Sequence, residues 1–291
     1  MLNFIINSKA KIRKIEKVVK TIEKYLTDKK VGFKLFFTQC KDDAKTITKE
    51  LTSKNCGDIV AVGGDGTVFE VLNGMQNFDI NLGIIPCGTG NDFCKAIGIN
   101  PKKITDVLEN ILTKPAKPCD FILVNGALRV LNITGIGIDA DVLNRYYKAK
   151  IFKGKIGYYL ALIVSLLKFK WNKYTIKIDG KKEFFKTAMI TSVCNGRYFG
   201  GGMKISPLSE VDDNLLNVII VKKINRLRIP FAFVSFMSGN ILKKKFTEHI
   251  VCQTAELISD AKPLINADGE IINGDVFKCE IVSNKLKIFR P

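Results

Sequence analysis

The chain has 291 residues, 46% hydrophobic and 25% charged, with 46 Lys and Arg against 28 Asp and Glu, a net charge of +18. That composition excludes a disordered or low-complexity chain, and the length is enough to bury the core of one large or two ordinary domains. The eight scattered cysteines form no Cys-x-x-Cys pair and His249 is the single histidine, which argues against a disulfide framework or a zinc site. This pattern suits reduced thiols in a cytoplasm.

The basic excess points to a polyanionic partner, either nucleic acid or an anionic membrane surface. Roughly half of it is accounted for by solvated helix faces such as Lys9 to Lys30. Leu2 to Ile6 is too short for the apolar core of a signal peptide. The apolar stretch Ile156 to Leu167 falls short of the ~20 residues that span a bilayer. Any membrane contact is therefore expected to be peripheral.

Taken in order, Leu2 to Ile6 predicts a short strand. Ile12, Ile15, Val18, Val19, Ile22, Tyr25 and Leu26 then recur at helical spacing. Phe33 to Phe37 predicts a second strand, and Ala44, Ile47 and Leu51 a second helix. Ile59 to Val62 predicts a buried strand that runs into glycines, and Val68, Val71, Leu72 and Met75 a third helix. Leu82 to Ile85 predicts a fourth strand, followed by Pro86. Strands alternating with helices imply a parallel sheet covered on both faces.

The rhythm changes after Pro115-Ala116-Lys117-Pro118, which predicts a domain junction with an α/β domain over 1–118 and a second domain over 119–291. Phe121 to Val124 and Leu128 to Ile133 flank Asn125-Gly126, a strong hairpin signal. Tyr174 to Ile178 and Phe184 onward flank Asp179-Gly180 in the same way. Leu215 to Val221 and Lys278 to Ile281 are further strand candidates. The second half thus reads as antiparallel β with helical insertions near 154–169 and 228–246.

Asp58 to Val62 leads straight into Gly63-Gly64-Asp65-Gly66-Thr67 and then a helix. Such a turn lets backbone N–H groups approach phosphate oxygens, and the helix start favours negative charge there. Asp65 would repel a phosphate unless it serves Mg²⁺ or bridging water. Read alone, the loop also fits a plain tight turn with Asp65 as a helix cap. A second loop, Pro86-Cys87-Gly88-Thr89-Gly90-Asn91-Asp92-Phe93, again joins a strand to a helix. Two such turns from one sheet could converge at its carboxyl edge, where open α/β sheets bind ligands. Thr89 and Asn91 offer uncharged phosphate or ribose contacts, and Asp92 a further metal-water anchor. Neither loop is a Walker A, because no Gly-Lys-Ser/Thr follows.

Gly63 to Thr67 together with Ile84-Ile85-Pro86-Cys87-Gly88-Thr89-Gly90-Asn91-Asp92-Phe93 resembles the catalytic domain of the diacylglycerol kinase and sphingosine kinase family, in its bacterial lipid-kinase branch. Further matching segments are Leu131 to Ala140, Asn195 to Met203 and Asp268-Gly269-Glu270, so the resemblance covers nearly the whole chain. It implies an NAD-kinase-like α/β domain followed by an antiparallel β-sandwich domain. It implies ATP and Mg²⁺ as cofactors and a lipid hydroxyl, that of diacylglycerol first, as acceptor. Sphingosine, phosphatidylglycerol or an isoprenoid alcohol would suit the same chemistry, and an NAD-kinase-type soluble substrate is a more distant alternative. No nucleic-acid motif with interleaved aromatics accompanies the basic excess, so nucleic acid is not an expected partner. An anionic membrane is the expected partner, with Lys243-Lys244-Lys245 and Lys148 to Lys155 as candidate contacts, and a homodimer is a candidate assembly.

Residue by residue, the resemblance implies nucleotide contacts at Asn7, Thr38, Gly64 to Glu70 and Thr89, with Gly63, Gly88, Asn91 and Asp92 framing them. Read without the resemblance, Asn7 and Thr38 would be turn or cap residues and Glu70 a first-turn acid. The segment after Asn7 departs from the family's Asn-Pro-x-Ser-Gly as Ser8-Lys9-Ala10-Lys11. Glu270 matches the proton acceptor, which phosphoryl transfer needs beside the attacking hydroxyl, with Asp268 assisting. Alone, Asp-Gly is more often a turn. Asp65 is expected to organise Mg²⁺ and water. A second, structural Mg²⁺ is implied at Asp213, with Glu210 and Leu215 as carbonyl donors. Asn214 stands where the family has glycine, a change a left-handed turn tolerates. The resemblance also leads one to expect that this chain lacks a segment returning to the first domain after the sandwich.

Overall fold

The computed structural model describes residues 1–8, 12–149, 154–168, 172–225, 228–259 and 263–291. The chain divides into two compact units, one of Met1–Asp120 with Ser283–Pro291 and one of Phe121–Val282.

The first unit opens with β1 (Leu2–Asn7), α1 (Ile12–Asp28), β2 (Phe33–Thr38), α2 (Asp43–Ser53), β3 (Asp58–Gly63), α3 (Asp65–Gly74) and β4 (Leu82–Pro86). β1 pairs in parallel with β2 on one side and β3 on the other, and β3 pairs in parallel with β4. The strands read as unbroken apolar runs because both faces are covered. Phe4, Ile5, Ile6, Ile59 to Val62, Ile84 and Ile85 are all fully buried. The helices contribute the stripes their periodicity predicts. Ile15, Val18, Ile22 and Leu26 of α1 are buried, as are Val68, Val71 and Leu72 of α3. Two short helices, α4 (Asp92–Ala96) and α5 (Ile104–Thr113), complete the alternation.

Residues 283–291 correct the sequence reading, which placed them in the second domain and expected no returning segment. They belong to the first unit: Ile288 pairs in parallel with Leu82, and the Phe289 N–H donates to the Leu82 carbonyl at 2.9 Å. Leu286 and Ile288 are fully buried, so this tail completes the sheet beside β4. Buried Leu286 and Ile288 flank exposed Lys287, the alternation of a strand.

The second unit is antiparallel. Its elements are β5 (Lys117–Val124), which begins in the first unit, β6 (Leu128–Val130), β7 (Ile133–Gly137), α6 (Ile138–Lys148), α7 (Gly154–Lys168), β8 (Asn172–Ile178) and β9 (Lys182–Cys194). The two-residue strands β10 (Tyr198–Phe199) and β11 (Met203–Lys204) follow, then β12 (Leu216–Lys222), α8 (Ile229–Met237), β13 (Thr247–Cys252), β14 (Thr254–Ile258), β15 (Leu264–Ala267), β16 (Glu270–Asn273) and β17 (Val276–Ile288). β9 serves both layers of the sandwich. Its first half pairs with β8, and its second half with β7 and β12. Asn125-Gly126 and Asp179-Gly180 turn with positive φ at both residues, which is the geometry their hairpin signals require.

Two predicted spans were too coarse. Leu128 to Ile133 is not one strand but breaks at Leu131-Asn132, for a reason that lies in the carboxylate of Asp268. The helical insertion at 228–246 stops at Met237, where Gly239 takes a φ of 71°. All eight cysteines are free thiols, and six are buried.

Candidate active site

In the first unit, parallel register places the carboxyl ends of β1, β2, β3 and β4 along one edge. Asn7 lies opposite Thr38, Ile6 opposite Val62, and Gly63 opposite Pro86. The two glycine loops leave from neighbouring strands and touch backbone to backbone. A Cβ on Gly88 would stand 2.5 Å from the Gly64 Cα, and one on Gly64 would stand 3.2 Å from the Gly88 Cα. The Gly63 carbonyl accepts the Cys87 N–H at 2.7 Å, which ties the loops at their base. The predicted convergence is therefore real, and its physical basis is the absence of two side chains at one crossing. Gly88→Ala is expected to force the loops apart, costing roughly 1–3 kcal/mol of stability and about a hundredfold in phosphotransfer. Thermal unfolding and a coupled turnover assay would check both numbers.

The loop residues hold one another in place. Asn91, in the left-handed region at φ 50°, accepts the Gly88 N–H at 3.0 Å and donates back to the Gly88 carbonyl at 2.9 Å. Asn7 donates to the Thr67 hydroxyl at 3.0 Å, and the Ser8 hydroxyl donates to the Thr38 carbonyl. Residues 9–11, which carry the departure after Asn7, lie outside the described residues. The N–H groups of Gly64, Asp65 and Gly66 open α3 and are the donors that any helix start leaves without an intrahelical partner.

Asp65 does not cap its own helix. Its carboxylate reaches the other loop and accepts the Phe93 N–H at 3.4 Å, at the start of α4. Burial, and then the nearby Asp92, push its carboxyl up to about 6, against the opposing pull of the backbone amides of Phe93, Asn91 and Asp92. Asp92 is buried and pairs with Lys95 at 2.9 Å. Two facing carboxylates, one already strained by charge, form a donor set that suits a divalent cation. Glu70 turns elsewhere: its carboxylate accepts the Ala44 N–H at 3.2 Å in the first turn of α2. Thr89 and Gly66 are exposed at the loop tips. Sequence reasoning missed Lys14. The ammonium of this α1 residue donates to the Cys87 carbonyl at 2.9 Å and so sits against the second glycine loop. Its position in the first turn of the helix following β1 was the available signal.

In the second unit, Asp268 opens the β15–β16 hairpin with φ 49°. Its carboxylate accepts three backbone N–H groups, from Leu131 at 2.7 Å, Asn132 at 3.1 Å and Ile133 at 2.9 Å. That clamp is what breaks the predicted 128–133 strand. The carboxylate is spent on these amides, so Asp268 holds the hairpin that carries Glu270. Glu270 is half-buried and faces Ala267 across the hairpin. Tyr147 of α6 donates to the Gly269 carbonyl at 2.7 Å, and partial burial and the Glu270 carboxylate push its phenol up to about 12. The segments around Asn132 and Asn195 interlock: the Asn195 side chain donates to the Leu131 carbonyl at 2.7 Å, and the Asn132 carbonyl accepts the Asn195 N–H at 2.9 Å.

The same unit contains a narrow apolar cleft of about 40 Å³. α7 contributes Tyr158, Leu162 and Leu166 to it, and α8 contributes Phe233 and Phe236. One carboxylate, Asp139 in the first turn of α6, lines this cleft. It is buried, bonded to the Asn266 amide at 3.1 Å, and its Oδ1 has no partner. Burial holds its carboxyl above the usual range.

The implied structural metal residues form a turn of their own. Asp213 accepts the Leu215 N–H at 3.0 Å, Asn214 takes the left-handed φ of 59°, and Glu210 pairs with Arg197 at 3.5 Å. Among the described residues no group of three His, Cys, Asp or Glu side chains is gathered as for a metal ion.

An α/β unit with two phosphate-approach loops, joined to an antiparallel sandwich, defines a kinase of the NAD-kinase-like architecture. Residues 1–124 match the diacylglycerol kinase catalytic domain, and residues 132–290 match the YegS C-terminal NAD kinase beta sandwich-like domain. The chain is 30% identical over 239 residues to a diacylglycerol kinase of Bacillus subtilis, covering 80% of this chain and 77% of that one. A Bacillus anthracis crystal structure described as a candidate diacylglycerol kinase superposes with a TM-score of 0.78 at 25% identity, over 100% of this chain and 97% of that one. An Archaeoglobus fulgidus NAD kinase solved with ATP shares the fold, with a TM-score of 0.55 at 13% identity over 100% of this chain and 94% of that one. The chain belongs to the bacterial family of diacylglycerol kinase and YegS-like lipid kinases.

Proposed function

We propose that the protein transfers the γ-phosphate of ATP to the hydroxyl of a membrane lipid, diacylglycerol first among them, with Mg²⁺ as the metal. The observation that carries the lipid assignment is the apolar cleft of the second unit with the buried carboxylate of Asp139 on its wall. A soluble nucleotide acceptor would call for polar and basic lining residues. Here the lining is aliphatic and aromatic, with the Asp139 carboxyl and the Tyr158 hydroxyl as its polar groups. The cleft as it stands exceeds the share of liquid volume of one water, about 30 Å³, by little. Admission of an acyl chain would require α7 and α8 to part.

The converged loops around Gly64 and Gly88 supply phosphate contacts from backbone N–H groups, with Asn7, Thr38, Thr67 and Asn91 fixing their shape. Bound ATP supplies the transferable phosphoryl group. Asp65 and Asp92 are the residues that fit Mg²⁺ best on their charge, and Asp213 is the weaker candidate because its carboxylate already caps its own turn. Glu270 accepts the proton of the attacking hydroxyl, held on its hairpin by Asp268 and Tyr147. Incubating the purified protein with ATP, Mg²⁺ and a panel of lipid alcohols in mixed micelles tests this reading. Phosphatidic acid from diacylglycerol is the expected product. Bound ATP with no lipid phosphorylated, or phosphorylation of NAD in its place, would falsify it.

A further inference from the structure

Helices α7 and α8 are apolar all the way round. Their inner faces line the cleft, which accounts for Tyr158, Leu162 and Leu166 on one and Ala232, Phe233 and Phe236 on the other. Their outer faces should then be polar, as on a surface helix of a soluble protein. Instead α7 exposes Leu160, Ile163, Val164 and Leu167, the last at 64%. α8 exposes Phe231 at 73%, Val234 at 63% and Met237. Seven of the thirteen large exposed apolar side chains among the described residues thus sit on two helices that flank one cleft. Such concentration marks a surface that something apolar covers. Neither helix is long enough to cross a bilayer.

The charge around this face selects the occupant. Neither α7 nor α8 contains an Asp or Glu. Lys168 ends α7, Arg228 precedes α8, and Lys148 lies with Leu160 and Val164 in the groove between α6 and α7. The exposed run Lys243-Lys244-Lys245 follows α8 after a short turn. The one acid lining that groove, Asp141, is paired with Arg145 at 2.8 Å, and an apolar face rimmed mainly by cations is what an interfacial helix presents to anionic headgroups. We infer that α7 and α8 together form a membrane-docking surface, with the outer side chains entering the acyl boundary and the rim lysines meeting anionic lipid. The sequence reading gave 156–167 as an apolar helical stretch too short to span a bilayer. One face of α7 is the border, and the other is the docking surface. This deepens the lipid-kinase reading and rests on it for its purpose, since the docked face surrounds the cleft.

Co-sedimentation with vesicles tests the surface without ATP. Wild type should sediment with phosphatidylcholine vesicles containing phosphatidylglycerol, and less so at high salt. The double variant Ile163→Ser, Phe231→Ser should lose about tenfold or more in partitioning, at an unchanged melting temperature. It should keep wild-type activity on a short-chain diacylglycerol dispersed as monomers. Equal sedimentation of the double variant would overturn the docking surface. So would a wild-type dimer that the double variant dissociates in analytical ultracentrifugation, because a second copy would then be the occupant. Absence of activity on the monomeric substrate in both proteins would instead sink the lipid-kinase reading and leave the vesicle result to stand by itself.

Discussion

Asp268→Ala is expected to destabilise the second unit by about 3–5 kcal/mol, because three backbone N–H groups lose their acceptor at once. Leu131 and Ile133 are essentially buried and Asn132 nearly so, which leaves water little access to replace the carboxylate. The same substitution frees the β15–β16 hairpin from the start of β7, so phosphotransfer should fall along with stability. Asp268→Asn separates the two effects. Its Oδ1 can still accept from part of the set, and stability should return toward wild type. If Asp268 only holds the hairpin, transfer returns with it. If transfer stays lost in a fully folded Asp268→Asn protein, the carboxylate has a direct part in the chemistry. Urea unfolding and turnover measured on the same preparations would decide.

Asp65→Asn is expected to abolish transfer and yet raise the melting temperature at pH 8. Burial and Asp92 lift the native carboxyl of Asp65 from its ordinary 3.8 to about 6. The native state therefore binds more protons than the unfolded chain between those values, and stability falls as pH rises through that window. Above it the full cost applies, on the order of 3 kcal/mol. Asparagine removes the charge while keeping an oxygen for the Phe93 amide. The stability gap between variant and wild type should be wide at pH 8 and about half as large at pH 5. A gap of equal size at both values would show that the Asp65 charge is not strained in the fold. A divalent cation that prefers the ionised carboxylate should narrow the gap from the wild-type side, which differential scanning fluorimetry with and without Mg²⁺ can read.

Much of the first unit was legible because its signals are local. Each of β1 to β4 is an apolar run bounded by a turn residue, and the stripes of α1 and α3 follow one period. The meeting of the loops was readable from their position after neighbouring strands, since parallel register puts such turns on one edge. The partners of individual side chains were not readable. Nothing local tells Asp65 to reach the next loop rather than its own helix, or Glu70 to serve α2. Those choices follow from the packing of α2 against α3 and from the contact between Gly64 and Gly88. Asp268 shows the limit most clearly. Asp-Gly-Glu suggested chemistry for both acids, while the fold spends the first on amides more than 130 residues earlier in the chain. Lys14 and the outer face of α7 went unnoticed for a related reason: a lysine on a helix and an apolar helical run each have an ordinary explanation that only placement removes.

Residues 283–291, the strand beside β4 in the first unit, bear on how the chain reaches its native state. Residues 1–120 leave the ribosome first, but their sheet lacks the partner strand beside β4 until residues 283–291 are released. Synthesis delivers a few residues each second, on the order of 5–20, so the open edge at β4 persists while the whole sandwich is made. The sandwich is in effect an insertion within the first unit. The glycine loops after β3 and β4 therefore gain their final support only once residues 283–291 have emerged.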